Sequence, residues 1–329
     1  MIKNKIFHEI EPYNNKALYV SVTQRCQLNC PFCFNHFVEG FQNEKEVTAE
    51  QIIKTIEEGD YSTIDFLGGE PLLKPQIMID VMSHFKNKYK MMMWGTSSNL
   101  AFKKLSNLQI KALKMMQDLS CARITIGSSY NVDRFESQNY YDLWIKNMQY
   151  LDSIGIKVGI TVTVTEKQSK ENVDTLLKVM EESKAKAVNI ERCLYPKPKN
   201  DFEKKELEKK YESIDEYILN CFKKIPIEKN YQFNRYYGGV VNRTPIFNNH
   251  CSHEISMLYP EPTGLVHGCV ANGNDNSEEA YRAKILDNNC LICDFYDYCK
   301  GDCECNRGCC AFPKKTVSYV RELIWRDYK

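Results

Sequence analysis

The sequence predicts an α/β protein, a partial (β/α)6 TIM-like barrel followed by a Cys-rich C-terminal segment. Three observations predict it. Six short apolar runs rich in β-branched residues alternate with helical patterns across the first two-thirds of the chain. That alternation fills roughly 190 residues, whereas a complete eight-fold barrel needs about 250. Nine of the 15 cysteines in this 329-residue chain lie between Cys251 and Cys310, where regular periodicity has faded.

Ala17–Thr23 reads as the first strand from its β-branched and aromatic content. Thr48 with Gln51 three residues on is a capping box, and Ile52, Ile53 and Ile56 supply the apolar stripe of the first helix. Thr63–Leu67 is the second strand, Gln76–Phe85 a helix and Met91–Ser97 the third strand. A helix over Leu108–Leu119 precedes a strand over Arg123–Ser128. Tyr140–Ile154 is a helix ended by Gly155, and Lys157–Thr165 is a strong strand. Val173, Leu176, Leu177 and Met180 fall at i, i+3, i+4 and i+7 and mark a helix face; Ala187–Cys193 is the sixth strand. Strands alternating with helices predict a parallel sheet that curls, with right-handed crossovers and a reactive site at the C-terminal strand ends.

Phe202–Phe222 is a charged amphipathic helix with Leu207, Tyr211, Ile214 and Ile218 on one side, and its Lys/Glu run is a solvated face. From Glu228 onward turn residues such as Gly238–Gly239 and Asn272–Asn276 accumulate. The domain boundary is therefore expected near 225–245. Residues 1–225 form the barrel domain, with its core at 15–195, and 226–329 the Cys-rich domain, which ends in a helix over Thr316–Asp327.

Composition narrows the function. Lys+Arg total 44 and Asp+Glu 43, a net charge of +1, so no global field favours nucleic acid or an anionic membrane. The apolar runs are too short to cross a bilayer, and the N-terminus lacks a signal-peptide core. A cytoplasmic protein is expected, and in a reducing cytosol tightly grouped cysteines read as metal ligands rather than disulfides. Cys121, Cys193 and Cys221 fit no such grouping and read as buried small apolar residues.

Two groups carry chemistry. Cys26, Cys30 and Cys33 have the spacing C-x3-C-x2-C directly after the first strand. Three thiolates on one short loop can hold three irons of a cubane, leaving the fourth open to a small molecule that binds through an amine and a carboxylate. A structural zinc would need a fourth ligand, for which only His36 is near. The second strand then ends in Gly68-Gly69-Glu70-Pro71. Downstream, Cys290, Cys293, Cys299 and Cys303 form a C-x2-C-x5-C-x3-C series, preceded by Cys251-x12-Gly264-x4-Cys269 in a hairpin-like stretch.

The first motif, with Phe32 just before its third Cys and the Gly-Gly-Glu turn after the next strand, resembles the radical S-adenosylmethionine enzymes. The resemblance covers residues 15–195. It implies that Cys26, Cys30 and Cys33 bind a [4Fe–4S] cluster whose open iron chelates S-adenosylmethionine, and that reductive cleavage of the latter yields a 5′-deoxyadenosyl radical. Gly68 and Gly69 would let backbone approach the methionine amine, with Glu70 completing the turn, and Phe32 would pack beside the adenine. Ser98 and Asn99 stand where the family often has a Thr-Asn-Gly-like turn, a partial match because Leu100 follows. Arg134 is placed like the family's carboxylate-binding Arg.

The second Cys group resembles the SPASM extension of these enzymes, which carries auxiliary iron–sulfur clusters, two of them expected here. By that resemblance Cys251, Cys269 and Cys303 would serve the first cluster. Cys290, Cys293 and Cys299 would serve the second, completed by Cys309 or Cys310. The family usually has a further Cys shortly before the position of Cys251. None stands at 243–250, so the remaining iron is open or is held by His250, His253 or Cys305.

The resemblance implies an enzyme that removes a hydrogen atom from an unactivated C–H bond. The substrate would be a ribosomally made peptide, cross-linked oxidatively or otherwise modified, and the reductant of flavodoxin or ferredoxin type. Oxidation or epimerisation of a peptide or small molecule is the alternative, and an iron–sulfur electron carrier or scaffold the reading from a different class. Relatives that oxidise Ser or Cys to formylglycine usually place an acidic residue after the Cys equivalent to Cys269, and Val270 disfavours that branch. Only 25 residues precede Cys26, so any leader-binding domain is expected on a separate chain.

Overall fold

The computed structural model describes residues 16–33, 46–59, 61–87, 92–121, 123–138, 140–193, 195, 198–242, 255–261, 263–267, 293–295 and 312–327. Its strands are β1 (Ala17–Thr23), β2 (Thr63–Gly68), β3 (Met93–Ser98), β4 (Ile126–Tyr130), β5 (Val158–Val164), β6 (Val188–Arg192), β7 (Ile255–Leu258) and β8 (Leu265–His267). They form one sheet in the order β6-β5-β4-β3-β2-β1-β7-β8. Every pair is parallel except β7 with β8. The sheet is open, as a partial barrel requires.

The helices are α1 (Ala49–Glu58), α2 (Pro75–Phe85), α3 (Asn107–Leu119), α4 (Val132–Gln138), α5 (Tyr141–Ser153), α6 (Val173–Glu182), α7 (Asp201–Lys224), α8 (Tyr231–Asn242) and α9 (Lys314–Asp327). Strand alternation divides the sheet into two unlike faces. Leu18, Val20 and Val22 of β1, Ile64 and Phe66 of β2, Trp94 of β3 and Val158, Ile160 and Val162 of β5 share one core with the inward stripes of the helices. The opposite face carries Tyr19, Ser21, Asp65, Gly95, Ser97, Gly127, Thr161, Asn189 and Glu191, mostly small or polar, with Leu67 and Met93 as its apolar members. That face is the concave one. The Tyr19 hydroxyl feels the charge of Glu191 although β1 and β6 are separated by four strands, so the sheet must curl to bring them together.

Local chemistry sets the element boundaries. The Thr48 capping box of α1 is made, with Gln51 N–H donating to Thr48 Oγ1 at 3.2 Å and Thr48 N–H to Gln51 Oε1 at 2.9 Å. Ser106 and Gln109 repeat the device on α3. The start of α9 is capped from elsewhere in the chain. Asp215 of α7 accepts from Lys315 N–H at 2.9 Å, Thr316 N–H at 3.3 Å and Thr316 Oγ1 at 2.7 Å.

The structure departs from the sequence reading in four places. Gly238 and Gly239 lie inside α8 rather than in a turn. Two glycines cost a helix about 1 kcal/mol each, but Phe233 and Tyr236 pack against Phe222 of α7 and outweigh that cost. The short helix α4 was not expected. Strands β7 and β8 continue the barrel sheet beyond β1, with β7 parallel to it. Finally, Cys193 and Cys221 are buried, but Cys121 is exposed, at φ +54 in the turn that ends α3.

Candidate functional site

The loop after β1 carries Cys26, Cys30 and Cys33, and none of the three is in a disulfide. It turns tightly, with Cys33 N–H donating to Cys30 O at 3.0 Å. The Gly-Gly-Glu turn at the end of β2 docks on its base. Gly69 N–H donates to Thr23 O and Glu70 N–H to Arg25 O, both at 2.8 Å. Both glycines are required by this contact. A Cβ on Gly68 would collide with Thr23 O and one on Gly69 with Arg25 O, and Gly68 also holds φ +124. The approach of β1-loop backbone is therefore one reason for these glycines that their sequence position alone did not disclose.

Glu70 is fully buried and ties the ends of three segments together. Its carboxylate accepts from Leu72 N–H at 3.0 Å, Ser98 Oγ at 2.8 Å and Asn99 N–H at 2.7 Å. Burial pushes its pKa up to about 7 despite these donors. Asn99, so held, donates from Nδ2 to Cys26 Sγ at 3.4 Å. Its Oδ1 accepts from Ala101 N–H at 2.7 Å and from Gln27 Nε2 at 3.0 Å. Leu28 N–H also points at Cys26 Sγ, at 3.4 Å. Leu100 closes the turn at φ +51, the left-handed region where glycine would sit without strain.

On the other flank, Arg134 is delivered by α4. Asn131 Oδ1 accepts from Asp133 N–H at 2.8 Å, and Asp133 Oδ2 accepts from Thr165 Oγ1 at 2.6 Å, which fixes the start of that helix. The guanidinium donates to Ser129 O at 3.3 Å and lies 5.6 Å from the Phe32 ring centroid. It also adjoins the Cys30 thiol and the Tyr140 hydroxyl.

The residues predicted from sequence for the first motif thus gather at one rim: Cys26, Cys30, Cys33, Phe32, Gly68, Gly69, Glu70, Ser98, Asn99 and Arg134. The sequence reading missed Gln27 and Tyr140. Gln27 lies inside the Cys motif, but its partners are more than seventy residues away, and no local pattern announces such a bond. Of the auxiliary ligands, Cys293 is described and partly buried. Cys251, Cys269, Cys290, Cys299, Cys303, Cys309 and Cys310 lie outside the described residues, as do His36, His250, His253 and Cys305.

The donor set fits an iron–sulfur cluster. Cys26 as a residue is exposed, but its sulfur faces inward, where desolvation and then the neighbouring Glu70, Cys30 and Cys33 push the thiol up to about 11. A protonated thiol is a weak acceptor, yet two N–H groups are aimed at its sulfur. A metal-bound thiolate would use both and release the proton. Among the described residues no three His, Cys, Asp or Glu side chains converge on one ion. A cubane does not need that, because each ligand holds a different iron.

A curled parallel sheet with three thiols on the loop after its first strand, braced by a Gly-Gly-Glu turn after its second, defines a partial barrel whose C-terminal rim presents a donor set that a cluster could use. Residues 20–180 match the Radical SAM superfamily, and the chain therefore carries a Radical SAM domain. Over 170 residues it is 25% identical to a pyruvate formate-lyase-activating enzyme of Clostridium pasteurianum, covering 48% of this chain and 66% of that one. The chain matches between about half and two-thirds of the length of such curated relatives. The fold is similar to a native anSMEcpe structure with AdoMet and a peptide bound, at TM-score 0.62 and 14% identity, over 94% of this chain and 97% of that one. It is also similar to Streptococcus suis SuiB bound to its precursor peptide SuiA, at TM-score 0.54 and 13% identity, over 88% and 72%. Among the described residues no helix is long and apolar enough to cross a membrane.

Proposed function

We propose that this Radical SAM protein removes a hydrogen atom from a peptide substrate and thereby drives an oxidative cross-link or a related modification. The observation that carries the reading is the rim itself, three thiols on one tight loop, the first of them met by Asn99, which Glu70 holds in place. The peptide substrate is supported by the likeness of the fold, along 94% of the chain, to a structure that holds both AdoMet and a peptide.

In this reading Cys26, Cys30 and Cys33 hold the [4Fe–4S] cluster, and Phe32, Gly68, Gly69, Asn99 and Arg134 line the S-adenosylmethionine site. When bound, the two together supply a 5′-deoxyadenosyl radical. The chain's own part is positional. Glu70 holds the Asn99 turn against the Cys loop, Arg134 offers a cation over Phe32, and the curled sheet keeps water from the reacting hydrogen. Residues 226–329 would form the unit that holds two auxiliary clusters and accept the second electron that a new bond releases.

Anaerobic reconstitution followed by a strong reductant tests the reading. S-adenosylmethionine should be converted to 5′-deoxyadenosine, and Cys30→Ala should abolish that conversion while most auxiliary iron remains. Three cubanes predict about 12 Fe per chain. A protein that binds zinc instead, or makes no 5′-deoxyadenosine, would overturn the assignment. Mass spectrometry of co-expressed candidate peptides tests the substrate, a loss of two hydrogens being the expected sign.

A further inference from the structure

The concave face holds a second polar constellation below the rim. In strand register Tyr19 of β1 pairs with Asp65 of β2, which pairs with Gly95 of β3. Gly127 of β4 pairs with Gly159 of β5 on the same face. At Gly95 the missing side chain admits Asp65, because a Cβ there would overlap Asp65 Oδ1; a Cβ on Gly127 would meet only ordinary contacts, whereas Ile124 already closes on Gly159. The Asp65 carboxylate makes no hydrogen bond or ion pair among the described residues. Burial pushes its pKa up to about 6.

Other groups face the same space. Tyr19 lies within electrostatic range of Asp65, Glu191, Arg235 and Tyr231, so one guanidinium stands among two carboxylates. Glu191 accepts from Asn189 Nδ2 at 2.7 Å. That bond fixes the amide orientation, and the buried Asn189 Oδ1 is left with no donor. Ser21 is 3% exposed, points to the same side of β1 as Tyr19, and its Oγ has no partner either. A buried acceptor left unmatched is costly, and here unmatched oxygens and surplus negative charge face one lumen.

We propose that the lumen floor formed by Asp65, Ser21 and the Asn189–Glu191 pair is a binding site for a cationic group, the ammonium or guanidinium of a basic substrate side chain. This rests on the peptide reading and deepens it. Asp65 supplies the counter-charge, Ser21 and Asn189 accept the remaining N–H donors, and Arg235 balances Glu191. Anionic and purely apolar side chains are excluded by the same oxygens.

The test titrates the reconstituted protein with the N-acetyl amides of lysine, arginine, norleucine and glutamic acid, followed by ligand-observed NMR. The basic probes should bind at least about tenfold more tightly than norleucine or glutamate. Asp65→Asn should remove that preference, and Ser21→Ala, which deletes one hydroxyl, should weaken the lysine probe severalfold without touching norleucine. Equal binding of lysine and norleucine, or an unchanged preference in folded Asp65→Asn, would refute the site. The two readings fail separately. Basic probes that bind while no peptide is ever altered leave the cation site standing and remove the peptide substrate. Peptides altered with no need for a basic residue do the reverse.

Discussion

The Glu70 carboxylate accepts a 2.7 Å hydrogen bond from the backbone N–H of Asn99, which joins the end of β2 to the turn after β3. Ser98 Oγ and Leu72 N–H share the same carboxylate, and Asn99 in turn reaches Cys26 Sγ. One buried acid therefore holds the turn that reaches the first cysteine of the loop. Glu70→Gln replaces one acceptor oxygen by a donor that faces N–H groups. The expected loss is about 2–3 kcal/mol, and Glu70→Ala should lose more. Chemical denaturation of the metal-free protein measures it, and iron uptake by the Cys loop should fall in parallel.

Gly69 sits where a methyl group would meet Arg25 O, on the backbone that leads into the Cys loop. Backbone cannot swing aside as a long side chain can. Gly69→Ala should cost about 3 kcal/mol through overpacking and the strained Gly69–Thr23 and Glu70–Arg25 bonds. A normal denaturation midpoint in Gly69→Ala would show that the loop can shift at little cost.

Leu100 opposes two effects that magnitudes can rank. Its φ of +51 carries a strain of about 1–2 kcal/mol that glycine would relieve. Its side chain, though, is fully buried, and emptying such a site costs about 3–5 kcal/mol. Leu100→Gly should therefore be net destabilising by about 2–3 kcal/mol, and a gain in melting temperature would reverse the ranking.

Asp65 gives stability a definite pH dependence. Its carboxyl titrates near its ordinary 3.8 when unfolded and at about 6 in the fold. Between those values the native state keeps a proton that the unfolded state has released, so stability falls as pH rises through the window. The slope approaches about 1.4 kcal/mol per pH unit for this one group. Asp65→Asn should flatten that fall and be more stable than the native protein at pH 7, read from urea midpoints across pH 4–7.

Asp215 caps α9 across a separation of about one hundred residues. Asp215→Ala should destabilise by about 2 kcal/mol and speed amide exchange in the first turn of α9, as expected for a lost cap. Asp215→Asn keeps one acceptor and should recover part of that loss.

Much of the barrel was readable from local pattern. Each of the six strands and the main helices follows from apolar period and caps such as Thr48–Gln51. The harder cases share a cause. The glycines of α8 point to a turn until the packing of Phe233 and Tyr236 on Phe222 is known. Cys121 resembles Cys193 and Cys221 in lacking a motif, and only the turn conformation exposes it. The parallel pairing of β7 with β1 joins residues more than two hundred positions apart, and such register leaves no local trace.

The same division holds at the site. By itself the sequence determined that three thiols share one loop and that a Gly-Gly-Glu turn follows the next strand, because both are matters of spacing along a short stretch of chain. Only the tertiary structure decided that Gly69 must admit the Arg25 carbonyl, that Glu70 holds Asn99 against Cys26, and that Asp65 and Glu191 face one lumen. These are contacts between segments far apart in the chain, and they exist only because the parallel sheet curls and carries the ends of its strands to a common rim.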